Sequence, residues 1–412
     1  MTTREQLFRA ANEEQETRVT HIELFFDLVF VFAVTQLSHR LLEHLTPIGA
    51  FETLILLLAV WWVWVYTSWA TNWLDPDRAV VRLMLIALMC AGLILSSSVG
   101  KAFENSTVIF ALAYVAMQLG RTLFMVWAYH GHGPEGQRNF LRITIYFLAS
   151  APLWIWGAYV GGQWRLVAWS AAVVIEYAGP ILRYRMPVLG ASTAKDWDIA
   201  GAHMADRCAL FIIIALGEAI LVTGATFAQL EQTNQAWGAF LLSFAASAAM
   251  WWIYFDIGAK RGSEMIEAAE NTGEVARSAY TYMHMPIVAG IVVTAVADEM
   301  MMTHPLGHSE PAFVLAAVGG PALFLLGNQM FKWQTTDSNI PPLSHSVGLI
   351  LLGGVGLTGW LQHWQPVNIG IGVTSALLVT ASWEWLALHG GWQRWAPWMG
   401  PRLGRLFRRQ SG

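Results

Sequence analysis

The sequence predicts an all-α, polytopic integral membrane protein of about twelve transmembrane helices. Three observations carry the prediction. Hydrophobic residues fill 55% of the 412 positions and charged residues only 13%, against about 25% charged in an ordinary soluble domain. Mostly apolar windows of the length that spans a bilayer, about 20 residues, recur twelve times. The basic residues are one-sided, with 19 of the 24 Lys and Arg in alternate inter-span segments and the termini. Such a chain is not disordered, not a nucleic-acid binder built on basic stripes, and not an ordinary cytosolic enzyme.

Residues 1–19 are polar and mixed in charge. No basic cap precedes a short apolar core, so this segment is expected to stay as a cytoplasmic N-terminus and not as a signal peptide. A first six-helix half covers 20–185, with spans at about 20–42, 49–71, 78–99, 106–129, 139–160 and 164–185. A cytoplasmic linker at 186–202 leads to a second half at 203–390. Its spans lie at about 203–226, 236–258, 280–302, 310–331, 343–361 and 367–388. The breaks carry turn chemistry: Asp75-Pro76-Asp77, Gly131-His132-Gly133-Pro134, Gly161-Gly162 and Ile340-Pro341-Pro342. Helices are expected because hydrocarbon cannot satisfy open backbone groups. The alternating runs of about ten residues that mark a membrane barrel are missing. The stretch 259–279 reads as a solvated cytoplasmic helix, and 391–412 as a basic, Trp-rich cytoplasmic tail that anchors topology at an anionic leaflet.

The N-terminus, the even-to-odd loops and the C-terminus hold the 19 bases, including Lys332 between spans 10 and 11. The opposite loops hold Arg40, Lys101 and Arg165, and Arg121 and Arg207 lie within spans. The positive-inside rule then places both termini in the cytoplasm.

Twelve spans also invite a test for duplication. Aligning the Leu-Phe pairs of spans 1 and 7 gives an offset of 186 residues and sets His21 opposite Arg207. Trp61-Trp62-Val63-Trp64 aligns with Trp251-Trp252-Ile253-Tyr254 at 190, and Glu176 with Glu384 at 208. Six spans per half imply a parallel repeat.

Each ionisable group at the bilayer centre costs about 2.5–3.5 kcal/mol on insertion scales, so the intramembrane charges are the candidate site. Glu23 and Asp27 share a face of span 1 at i,i+4 spacing, flanked by His21. Arg207 lies at similar depth in span 7 and is their natural partner. Glu218 in span 7 and Glu176 in span 6 lie deeper, with Arg121 in span 4 as the remaining cation. One reading makes these residues a polar transport path; the other makes them buried ion pairs. Four acids face two bases, and an unpaired buried carboxyl can carry a proton. Asp256, Asp298, Glu299 and Glu384 lie near span ends and are expected to reach headgroups or water.

Other features predict less. His304 and His308 lack a specific metal spacing, and the methionines around His284 and at 300–302 serve as apolar filler. No metal or cofactor is expected. Gly353, Gly354 and Gly356 favour close packing in span 11. No HExxH, GxSxG, Walker loop or GxGxxG is present, and the chain has no room for a soluble catalytic domain.

The stretch Val19-Thr20-His21-Ile22-Glu23-Leu24-Phe25-Phe26-Asp27-Leu28-Val29-Phe30 closely resembles the opening signature of the bacterial low temperature requirement protein A family. Arg207-Cys208-Ala209-Leu210-Phe211, running on to Leu216-Gly217-Glu218, resembles its second landmark. The resemblance implies a polytopic inner-membrane protein linked by name to growth in the cold. Its characteristic charged positions match at His21, Glu23, Asp27, Arg207 and Glu218. A looser similarity links spans 1 and 7 to a potassium-channel family with six-plus-six helices and a Phe-Ser-Asp motif. Here the serine is absent, and Ile213 stands where the second acid would fall.

The expected function is movement of an ion, proton or small solute along spans 1 and 7, in contact with the lipid bilayer and with no nucleic acid. Oligomerisation stays open. The rivals are a membrane enzyme acting on a lipid or isoprenoid, and a structural or regulatory membrane protein; the acids lie at several depths, which favours a path over a single interfacial catalytic site.

Overall fold

A computed structural model describes residues 4–9, 19–131, 133–193, 200–256, 277–336 and 340–388. Among these the chain forms twelve α-helices and no strand. They are α1 (His21–Glu43), α2 (Pro47–Trp73), α3 (Ala79–Val99), α4 (Thr107–Tyr129), α5 (Pro134–Val160) and α6 (Gly162–Ile181). The series continues with α7 (Gly201–Gln229), α8 (Asn234–Phe255), α9 (His284–Thr303), α10 (Pro311–Gln334), α11 (Leu343–Leu361) and α12 (Pro366–Leu388). A π-helical turn, Arg277–Tyr282, leads into α9. Each expected span has its helix. The expected cytoplasmic helix at 259–279 and the basic tail at 391–412 lie largely or wholly outside the described residues.

Eleven of the twelve helices are long and apolar enough to cross a membrane. The exception, α6, has 20 residues, about 30 Å of helix, so length is not what it lacks. Gln163, Arg165, Ser170 and Glu176, with its Trp residues, dilute its apolarity. Many large apolar side chains point outward, among them Leu28, Leu83, Leu93, Val174, Leu315 and Ile350. A soluble surface rarely tolerates so much exposed apolar area, whereas lipid solvates it.

The helices form two compact units. The first holds α1 to α6 and the opening of α7 through Arg207; the second takes α7 from Cys208 and α8 to α12. Within the first, α1 packs on α2 and α3, α3 on α4, α4 on α5, and α5 on α6. Helix α2 also meets α4 and α6, and its run from Ala59 to Asn72 is buried on every side. Lipid tails are as apolar as a protein core, so packing and hydrogen bonds hold such a unit together. Trp61, Trp62 and Trp64 supply the packing, and Trp62 stacks on Tyr177 of α6 with ring centroids 3.8 Å apart.

Within the second unit, α9 packs on α10, α10 on α11, α11 on α12, and α12 on α8. The closest backbone approach is between α9 and α10. A Cβ added at Gly290 would lie 2.4 Å from the backbone nitrogen of Phe324, and one at Gly320 2.7 Å from that of Thr294. Of the small residues expected to pack closely in α11, Gly356 does, with an added Cβ 3.3 Å from Val318 of α10, but a Cβ at Gly353 or Gly354 meets nothing within 4 Å. Those two glycines stand on an open face, and the tight seam needs its glycines two helices earlier. Gly290→Ala should therefore cost about 1–3 kcal/mol by overpacking, while Gly353→Ala should be neutral or stabilising by helix propensity. Thermal unfolding of the purified variants in detergent reads the difference.

Candidate functional site

The site in the first unit is built on the opening turns of α1 and α7. Helix α1 starts at Thr20, whose backbone N–H and hydroxyl both donate to Glu23 Oε2, at 2.9 and 2.8 Å. This places an acid on the first turn, where the helix dipole favours negative charge. Asp27 follows one turn later on the same face, and both acids are completely buried. A single guanidinium bridges them. Arg207 Nη1 donates to Glu23 Oε1 at 3.1 Å, and Nη2 to Asp27 Oδ1 at 2.5 Å. Trp64 of α2 donates its indole N–H to the same Asp27 oxygen at 2.8 Å, and its ring lies beneath Arg207 at 5.9 Å.

Two further groups close the cluster. Arg9, from the N-terminal segment, reaches Glu23 Oε2 at 3.3 Å. His203 lies one turn before Arg207 and is fully buried. Asn72 Oδ1 accepts from the Ala200 N–H, which turns the Asn72 amide N–H toward His203 Nδ1 at 3.2 Å. Nδ1 is therefore an acceptor, and Nε2, which lies 3.2 Å from Arg9 Nη2 and 2.9 Å from Glu23 Oε1, carries the hydrogen donated to the nearer carboxylate. In this tautomer the imidazole is neutral. Glu23 and Asp27 then balance Arg9 and Arg207, and the cluster carries no net charge. Two of its atoms have no partner among the described residues: Asp27 Oδ2 and Arg207 Nε.

A second polar centre lies among α4, α5 and α6. Glu176 Oε1 accepts from Ser150 at 2.6 Å and from Trp154 Nε1 at 2.9 Å, and Oε2 accepts from Tyr114. Gln118 donates to Tyr114 at 3.0 Å and accepts from Arg121. A direct Arg121–Glu176 ion pair, one of the pairings the sequence left open, is absent among the described residues; Gln118 and Tyr114 stand between the two charges. Arg121 instead reaches across to α2, to the Val63 carbonyl at 3.2 Å and Thr67 Oγ1 at 3.3 Å.

In the second unit Glu218 is buried, and it has no hydrogen-bond or ion-pair partner among the described residues. Two other carboxylates overturn the expectation of contact with water. Glu384 is buried and pairs with Lys332 Nζ at 2.6 Å, and Asp298 is buried with Oδ2 unpartnered. Lys332 moves too. Helix α10 continues to Gln334, so this base is inside a helix and buried, not in a cytoplasmic loop.

Glu23, Asp27 and Arg207 thus come together as their depths predicted, while His21 sits on the exposed side of α1 and takes no part. The missed members are His203, Asn72, Trp64 and Arg9. His203 was accessible in the sequence, at i−4 from Arg207 on one helix face. Arg9 was not, because nothing in a polar segment of mixed charge says that one arginine folds back beneath a span.

Three comparisons bear on identity. The family described as bacterial low temperature requirement A protein matches residues 18–382. The uncharacterized protein RA0937 of Rhizobium meliloti (strain 1021) is 40% identical over 382 residues, covering 92% of each chain. No solved structure matches the chain. With the family signature on the two helices that form the buried charge cluster, this chain belongs to the bacterial low temperature requirement A family.

Proposed function

We propose that the protein moves a proton or small ion across the bacterial inner membrane, with both termini cytoplasmic and α7 as the element that gates movement. The observation that carries this reading is the contrast along α7. Arg207, at its start, is held by two carboxylates. Glu218 is buried and lacks any partner among the described residues. Eleven residues separate them, about three helical turns and 16 Å, so both lie close to one face. An ionisable side chain inside a membrane helix, left without a counter-charge, marks a candidate point on an ion pathway. The neutral cluster of Arg9, Glu23, Asp27, His203 and Arg207 acts as a latch between α1 and α7 that must rearrange before α7 moves. Glu176, held by three donors, serves as a fixed polar point at mid-depth. A link to growth in the cold, which the family name carries, would follow if flux through this latch matters most at low temperature.

The charge balance of the cluster favours a second reading, a structural membrane protein in which every charge is paired. Flux separates the two. Reconstituted wild type should move H⁺, K⁺ or Na⁺ down an imposed gradient faster than protein-free liposomes. Glu218→Gln, at matched folded protein, should slow it about tenfold or more, as loss of an essential proton carrier does. Absence of flux for all three ions would remove the transport reading and leave the structural one.

A further inference from the structure

The two units place a buried base, a carbonyl and an acid at corresponding positions, with base and acid directly paired in the second unit. In the first, Arg121 of α4 donates to the Val63 carbonyl of α2 at 3.2 Å, with Gln118 three residues before it and Glu176 on α6. In the second, Lys332 of α10 donates to the Ile253 carbonyl of α8 at 2.6 Å, with Gln329 three residues before it and Glu384 on α12. Val63 and Ile253 each directly follow a Trp-Trp pair. The residue offsets are 190, 211 and 208 for the carbonyl, base and acid, a drift that loop lengths explain. Several helix contacts recur as well: α3–α4, α4–α5, α5–α6 and α2–α6 return as α9–α10, α10–α11, α11–α12 and α8–α12. A parallel duplication accounts for all of this.

The copies differ in chemistry. Arg121 cannot release a proton in a protein, and it is held by Val63, Thr67 and Gln118, with the Tyr66 ring 5.2 Å from its Cζ. Lys332 is a point charge with only the Ile253 carbonyl and Glu384 Oε1 as partners, both at 2.6 Å, among the described residues. Two buried atoms around it have no partner among the described residues: Glu384 Oε2, and Nε2 of His345 on α11. His345 is fully buried and within electrostatic reach of Lys332. Its Nδ1 is 3.1 Å from Ser344 Oγ. Glu384 and His345 are the titratable groups facing Lys332 from α12 and α11. From α8 it meets a backbone carbonyl.

We propose that Lys332 and Glu384 form an exchangeable monovalent-cation site, of which the Arg121–Glu176 node is the non-exchanging copy. One N–H bond of the Lys332 ammonium breaks, and its proton leaves to water. The cation takes the place of that charge between Glu384 and the Ile253 carbonyl, with Glu384 Oε2 completing the oxygen set. One charge enters for each that leaves, so the buried site stays neutral. The inference rests on the transport reading for its purpose and not for its chemistry. Proton release without flux would keep the site and sink that reading.

The experiment is proton release from the purified full chain in weakly buffered detergent at mildly alkaline pH, on addition of LiCl, NaCl or KCl. Choline chloride is the ionic-strength control. Wild type should release about one proton per chain with at least one of these cations, because binding to a protonated ligand set displaces protons. Lys332→Arg keeps the charge and copies the first unit's node, so it should fold yet release at least about fivefold less. The same cation should raise the Tm of wild type, by linkage, and not that of Lys332→Arg. No release from folded wild type with any of the three cations would overturn the proposal. Undiminished release from folded Lys332→Arg would also overturn it. Should Lys332→Arg fail to fold, the wild-type titration and its loss in Glu384→Gln decide the matter on their own.

Discussion

Arg207→Ala is expected to lose about 3–5 kcal/mol of stability, the usual result of removing one partner from a buried ion pair. The loss should fall unequally on the two carboxylates. Glu23 keeps Arg9, His203 and the two Thr20 donors. Asp27 keeps only the Trp64 indole, and its Oδ2 already lacks a partner. Neutralising the stranded acid should therefore restore stability to different extents. Arg207→Ala combined with Asp27→Asn should recover most of the loss, and Arg207→Ala combined with Glu23→Gln much less. A double-mutant cycle on thermal or denaturant unfolding in one detergent reads the coupling directly. Equal recovery from the two would mean that Arg207 is not the main counter-charge of Asp27.

The second large effect is expected at Glu176. Leucine there would leave Trp154 and Tyr114 as buried groups without their acceptor, while Ser150 keeps the Phe147 carbonyl. Each orphaned donor costs about 1–3 kcal/mol, so Glu176→Leu should prevent folding or lower Tm severely. Glu176→Gln keeps an oxygen for Ser150 and Trp154 and turns an N–H toward Tyr114, whose hydroxyl can accept it. Its cost should be about 1 kcal/mol. The contrast separates a carboxylate needed for hydrogen bonding from one needed for its charge. Near-wild-type stability with lost flux in Glu176→Gln would assign the charge a direct part in transport.

The helices were legible in the sequence because eleven of the twelve are apolar over a bilayer's thickness and each break carried a proline, glycine or charge. The cores of the two charge clusters were legible for the complementary reason. An ionisable residue inside such a run is too costly to be accidental, so Glu23, Asp27, Arg207 and Glu176 stand out by position alone. What stayed hidden is which groups complete them. Trp64 looks like any other tryptophan in a Trp-rich helix, and Tyr114 like packing, until the fold brings them within 3 Å of a carboxylate. Lys332 and Glu384 were misplaced because each sits near a span end, where a long side chain ordinarily snorkels to water; here each turns inward to meet the other. The Arg121–Glu176 pair failed because a shared depth does not ensure contact when a glutamine and a tyrosine occupy the space between.

The most direct test of the latch is the initial rate of ion flux through reconstituted Arg207→Lys compared with wild type. Lysine keeps the positive charge but cannot reproduce the two-armed bridge of the guanidinium to Glu23 and Asp27. If that bridge holds the closed state, the folded variant should carry H⁺, K⁺ or Na⁺ several-fold faster than wild type. A folded Arg207→Lys protein that is as impermeable as protein-free liposomes to all three ions, alongside an equally silent wild type, would contradict the account.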